Sequence, residues 1–221
     1  KRENQRFFAH GGPLRYLSFM NNPESSRQLP VALRRLAGSL SRLPQQSATP
    51  PGVNPAAVLV PLVTSDRGLE VILTKRTETV ETHKGQIAFP GGMADSGDEG
   101  PIQTALRETE EEIGVPAAQI KILGQLEAFI TPSDFAITPV VGFLSDIPDF
   151  HPNLSEVAEI FLVPLEFFSR QGEGRMEVRM VRGEPREVWF YEWGGHLIWG
   201  ATARVLRDLL AVMDEHDPNP G

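Results

Sequence analysis

Apolar positions change period several times along this chain, and each change marks an element. Leu29, Leu33, Leu36 and Leu40 recur at helical spacing within RQLPVALRRLAGSL, which predicts one short amphipathic helix. The PQQSATPPGVNP that follows, residues 44–55, is dense in proline and turn formers and reads as a linker. From Ala56 the texture switches to short β-branched runs. AAVLVPLV (56–63) and LEVILTKR (69–76) flank the turn residues Ser65, Asp66, Arg67 and Gly68, and together predict a hairpin. Further strands are predicted in QIAFPGG, KILGQLEAF, AITPVVGFL, EIFLVPL, RMEVRMVR and REVWFYEW, with Gly183, Glu184 and Pro185 turning between the last two. WFYEW, residues 189–193, is read as core or late strand. Two helices stand out, one from about Pro101 to Ile113 and one from about Leu197 to Met213, the second carrying a stripe of Leu206, Leu209, Leu210 and Met213. Strands before, between and after helices predict an α/β domain with a mixed sheet and helices on its faces. We expect residues 1–50 to be an N-terminal extension with the short helix and linker, 51–214 the main domain, and 215–221 a frayed tail.

The helix at 101–113 has its own start and stop signals, proline at its first position and Gly114 as a left-handed cap. Its last turns hold an anomaly. RETEEEIGV, residues 107–115, sets four glutamates in five positions at the negative end of the helix dipole, where each costs a few tenths of a kcal/mol. Glu108 and Glu112 also repel at i,i+4 spacing. At about 100° per residue, Ile102, Ala105, Leu106, Thr109 and Ile113 share a face that should pack on the sheet. Glu108, Glu111 and Glu112 share another, and should project three carboxylates into one small volume suited to Mg²⁺ or Mn²⁺. Arg107 alone is too little to offset that charge, so a cation is expected.

Composition narrows the chemistry. The chain has no cysteine, which excludes disulfides, thiolate zinc sites and cysteine nucleophiles. A net charge of -8 argues against a passive electrostatic grip on nucleic acid or an anionic membrane, both of which favour basic surfaces. No apolar run approaches a membrane span. The expected partner is a small molecule, with no nucleic acid and no membrane, in a cytoplasmic protein whose subunit number the sequence leaves open.

The segment GGMADSGDEGPIQTALRETEEEIGV, residues 91–115, resembles the Nudix box, G-x5-E-x7-R-E-U-x-E-E-x-G-U with U a bulky aliphatic. Arg107, Glu108, Glu111, Glu112 and Gly114 match residue by residue, whereas Thr109 stands at an aliphatic position. The loop is one residue too long. Asp98 follows Gly92 by the proper five and Glu99 precedes Arg107 by the proper seven, and neither satisfies both. The resemblance implies an α/β/α sandwich with a mixed sheet and hydrolysis of a nucleoside diphosphate derivative. It also implies divalent metal held by Glu108, Glu111, Glu112 and the Gly91 carbonyl, with Arg107 orienting the glutamates.

A second segment, ILTKRTETVETHKGQIAFPGG, residues 72–92, resembles the signature of the coenzyme A pyrophosphatase branch, L-L-T-x-R-[SA]-x3-R-x3-G-x3-F-P-G-G. Leu73, Thr74, Arg76, Gly85, Phe89, Pro90, Gly91 and Gly92 match; Thr77 and Glu81 depart, the second where the signature has a phosphate-binding arginine. His83 and Lys84 are the nearest substitutes. This branch implies coenzyme A or a derivative as substrate, 3′,5′-ADP and 4′-phosphopantetheine as products, and Arg76, His83 and Phe89 on the substrate side. The general base is open between Glu111 in the box and the acids of NLSEVAEIF, residues 153–161, namely Glu156 and Glu159. The rival readings are a Nudix hydrolase of ADP-ribose or NADH and a non-catalytic nucleotide-binding module.

Overall fold

The computed structural model describes residues 29–44, 49–78, 85–169 and 174–214. β1 (Asn54–Ser65) and β2 (Gly68–Arg76) form the expected hairpin, paired from Leu62↔Val71 to Ser65↔Gly68. QIAFPGG is not one strand. It divides at Phe89 and Pro90 into β3 (Ile87–Ala88), which pairs with β2, and β4 (Gly91–Met93), which pairs with β1. Proline has no N–H to continue a ladder, and the Pro90 carbonyl instead accepts from the Leu59 N–H at 2.8 Å. KILGQLEAF likewise divides, into β5 (Lys121–Gln125) and β6 (Phe129–Ile130), both antiparallel to β7 (Phe135–Leu144). β7 runs parallel to β1, and β8 (Val157–Pro164) antiparallel to β2, so the sheet is mixed, as expected.

Helices cover both faces. α2 (Pro101–Ile113) packs Ala105 and Ile113 on Ala57, Leu59, Ile72 and Val140. On the other face lie α1 (Val31–Leu40), a short α3 (Leu165–Ser169) that the sequence pattern does not announce, and α4 (Gly200–Asp214). Leu33, Leu36 and Leu40 of α1 are buried in the same cluster as Leu206 and Leu209 of α4. This is an α/β/α sandwich.

A second, three-stranded sheet is built from β9 (Gly174–Val181), β10 (Glu184–Trp193) and β11 (His196–Trp199), in the order β11-β10-β9. Two expectations are corrected here. The turn between β9 and β10 is only Arg182 and Gly183, both with positive φ (52° and 83°), while Glu184 and Pro185 already pair with Val181 and Met180. A two-residue loop with both central residues at positive φ matches the twist of the flanking strands. The last helix begins at Gly200 rather than Leu197, because His196–Trp199 pairs with β10 as a strand. No helix among the described residues is long and apolar enough to cross a membrane.

Candidate active site

α2 starts and stops where its signals place it, but its buried face is rotated from the expected one. Thr104, Ala105, Thr109, Glu112 and Ile113 are buried, whereas Ile102 is 36% exposed. Thr109 fits its aliphatic position because its hydroxyl donates to the Ala105 carbonyl at 2.6 Å, leaving the methyl group to pack. The rotation separates the three glutamates. Side-chain exposure is 5% for Glu112, 17% for Glu108 and 58% for Glu111.

They also face different partners. Arg107 donates from Nη1 to Glu108 at 2.8 Å and to Glu111 at 3.1 Å. Glu112 accepts the Gly91 N–H at 3.2 Å and lies 3.5 Å from Arg76 Nη1. Among the described residues no three acidic or imidazole side chains converge as a ready-made cation cage. The expectation that Arg107 stands alone against this charge is therefore corrected: β2 brings Arg76 to the helix from far away in sequence. The C-terminal carbonyls of α2 are satisfied from outside too, Ile113 by the His151 N–H and Glu112 by the Asn153 N–H, each at 2.9 Å.

Close approach explains Gly92. A Cβ there would sit 2.6 Å from the Glu108 carboxyl, so a larger residue would push that carboxylate out of its present position. Burial is the main force on both inner carboxyls. It pushes Glu112 up to about 7 against the pull of the Gly91 N–H and Arg76, and raises Glu108 against the pull of Arg107. Glu156 adds a weaker repulsion to both.

Between the two loop acids the structure chooses Asp98. Arg107 donates to it from Nε at 3.2 Å and from Nη2 at 3.0 Å, and the Thr104 hydroxyl and Asp95 N–H complete its shell. Glu99 is exposed, with its backbone N–H on Gln103. Asp98 thus holds Arg107 while Arg107 holds Glu108 and Glu111. Asp98, Thr104 and Asn153 are the members of the site with no assigned role from sequence; the spacing to Gly92 pointed to Asp98, and nothing local pointed to Thr104.

The acids near β8 are separated as well. Asn153 Nδ2 donates to Glu156 at 3.1 Å, and the Glu156 carbonyl accepts the Thr77 N–H, tying that loop to the end of β2 beside Arg76. Glu159 lies 3.4 Å from His196, whose ring stacks on Phe161 in the core of the opposite sheet face. A bulge in β8 opposite Lys75 and Arg76 accompanies this split. Phe89 is 4% exposed and packs within that same core. His83, with Glu81 and Lys84, lies outside the described residues.

A model of the NUDIX domain matches residues 53–193. The chain belongs to the Nudix family. The uncharacterized Nudix hydrolase NudL of Photorhabdus laumondii is 42% identical over 155 residues, covering 70% of this chain and 82% of its own. Its namesake in Yersinia enterocolitica is 37% identical over 180 residues, covering 80% and 92%. In fold the chain is similar to a NUDIX hydrolase from Alicyclobacillus acidocaldarius, with a TM-score of 0.50 at 19% identity over 72% of this chain and 91% of that one. As a Nudix hydrolase it acts on a nucleoside diphosphate derivative.

Proposed function

We propose that this Nudix hydrolase cleaves the diphosphate of coenzyme A or a derivative, giving 3′,5′-ADP and 4′-phosphopantetheine. The observation that carries the reading is the junction of the two motifs: Arg76 and Gly91, both in residues 72–92, converge on Glu112 of the box. The substrate signature and the acidic helix form one site, so a residue selecting the substrate also touches the hydrolytic machinery.

The donor set fits Mg²⁺ or Mn²⁺. Glu108 and Glu112 are hard oxygen donors in largely buried surroundings, Glu112 the less compensated of the two, and Glu111 and the Gly91 carbonyl would complete the set. When bound, the divalent ion supplies positive charge that screens the diphosphate and makes water more acidic.

The chain's own groups account for the remaining steps. Arg76 keeps a quarter of its side chain exposed beside Glu112, which suits the accessible end of its guanidinium to a phosphate oxygen. Glu156, held by Asn153, accepts the proton of the attacking water. As the new P–O bond forms, the bridging P–O bond breaks, and its electron pair leaves on the departing phosphate. Arg107 keeps Glu108 and Glu111 in place throughout. Glu111 is more exposed and already engaged by Arg107, so Glu156 is the better base.

A comparison of kcat/KM for coenzyme A, ADP-ribose, NADH and dinucleoside polyphosphates tests the substrate. Coenzyme A should give the highest value; a higher value for ADP-ribose or NADH would overturn the reading.

A further inference from the structure

The outer edge of the small sheet carries a pattern that the hydrolase site does not use. β9 is its terminal strand, and no strand among the described residues pairs with its outer side. Its side chains alternate sharply. Met176, Val178 and Met180 point to one face and are 42%, 63% and 69% exposed. Arg175, Glu177 and Arg179 point to the other, where Arg175 and Arg179 lie over the Phe190 ring, each 4.7 Å from its centroid, and Glu177 sits between them. Exposed edges of this length invite pairing, and charges usually guard against it. Here the charges complement themselves.

We infer that β9 pairs antiparallel with β9 of a second copy, about a two-fold axis at Val178. Two-fold symmetry normal to the sheet sets residues of equal parity opposite each other. With the axis at Val178, Glu177 faces Arg179 of the other copy twice over, Met176 faces Met180, and Val178 faces itself. Shifting the axis one residue to Glu177 sets glutamate against glutamate, and shifting it to Arg179 sets arginine against arginine. Like charges directly opposite are disfavoured. An axis at Met176 would also pair Glu177 with an arginine, Arg175, but would leave only residues 174–178 of β9 in the ladder. Charge and ladder length together select Val178, and two three-stranded sheets become one of six strands.

The edge is also held ready. At the tip of the hairpin, Arg182 donates to both carboxylate oxygens of Asp134, at 2.9 and 2.8 Å, tying the strand end to the turn before β7. Little conformational freedom is left to lose on pairing.

Sedimentation velocity on the full chain, with variants at these exposed positions, tests the inference. The wild type should sediment as a dimer and Val178→Lys as a folded monomer that retains hydrolase activity. Glu177→Arg should weaken dimerisation roughly tenfold or more, and Glu177→Arg with Arg179→Glu should restore it. Because the chain lacks cysteine, Val178→Cys should cross-link to itself on mild oxidation. Met176→Cys should not, since two such positions would lie about 13 Å apart along the strands, beyond disulfide reach. It should cross-link when mixed with Met180→Cys. A monomeric wild type up to its solubility limit, a dimer indifferent to Val178→Lys, failure of the charge swap to restore it, or Met176→Cys linking to itself as readily as Val178→Cys would each overturn the proposal.

Discussion

Asp98 and Glu112 are both carboxylates with side chains 4–5% exposed, and each stands beside an arginine. Their proton affinities move in opposite directions. Asp98 is held down to about 2, chiefly by hydrogen bonds from Arg107, while burial drives Glu112 up to about 7. The difference lies in the number and closeness of donors. Asp98 accepts from two guanidinium nitrogens, a hydroxyl and a backbone N–H, whereas Glu112 has one backbone N–H and an arginine 3.5 Å away. Asp98 is a finished structural joint. Glu112 is left short of positive charge, which agrees with the cation-binding role proposed for it.

The largest expected effect comes from removing the unsaturated member of the pair. Glu112→Gln keeps the shape and the Gly91 contact but removes the charge, and should lower kcat/KM by at least ~10²-fold with no loss of folded content. Steady-state kinetics beside circular dichroism checks this. Activity within a few-fold of wild type would mean that Glu112, like Asp98, serves structure only.

Next comes the base. Glu156→Gln should cost about 10²-fold in kcat, because its proton acceptor is lost. Glu159→Gln should cost little, since that carboxylate pairs with His196 on the far side of the sheet. Equal losses in the two variants would remove the distinction between the two faces.

How much of this was legible in the sequence depends on the distance over which each cause acts. The limits of α2 were readable, because Pro101 and Gly114 act on their own backbone. The burial of Glu112 and the exposure of Ile102 were not, since the sheet beneath the helix sets its rotation by packing that periodicity samples only coarsely. Arg76 and Glu112 each appeared in a motif, yet their contact depends on β2 and β4 both flanking the helix. β11 was hidden for a different reason: His196–Trp199 is a run of four residues directly before α4, too short to show a period of its own, and only the turn at Gly194 and Gly195 and the positive φ of Gly200 set it apart. Asp98 and Glu99 were equivalent by counting, and only Arg107 told them apart.

A smaller effect should fall on stability. Asp98→Asn removes the charge and turns one of the two accepting oxygens into a donor facing Arg107, Thr104 or the Asp95 N–H, and should lower the unfolding midpoint by several degrees while reducing activity less than Glu112→Gln does. Thermal unfolding of the two variants side by side would show the contrast, Asp98→Asn losing mostly stability and Glu112→Gln mostly turnover.

The subtlest difference is in pH dependence, measured on protein freed of divalent ions with a chelator. Glu112 ionises in the unfolded chain near 4.5 and in the folded chain near 7. Between those values the folded state binds more protons than the unfolded one, so stability falls as pH rises through this window, by at most about 1 kcal/mol per pH unit. Asp98 behaves oppositely: its folded value, about 2, lies below the ordinary 3.8, so its contribution is complete above 3.8 and disappears as pH falls through 2. Urea unfolding from pH 4.5 to 7 should therefore show declining stability in the chelated wild type and a flatter profile in Glu112→Gln, with a remaining slope from Glu108, whose proton affinity is also raised. Adding Mg²⁺ or Mn²⁺ should restore stability most at the upper end of the window, where Glu112 is ionised and its charge least compensated. A profile equally steep in both proteins would show that Glu112 does not carry the strain assigned to it.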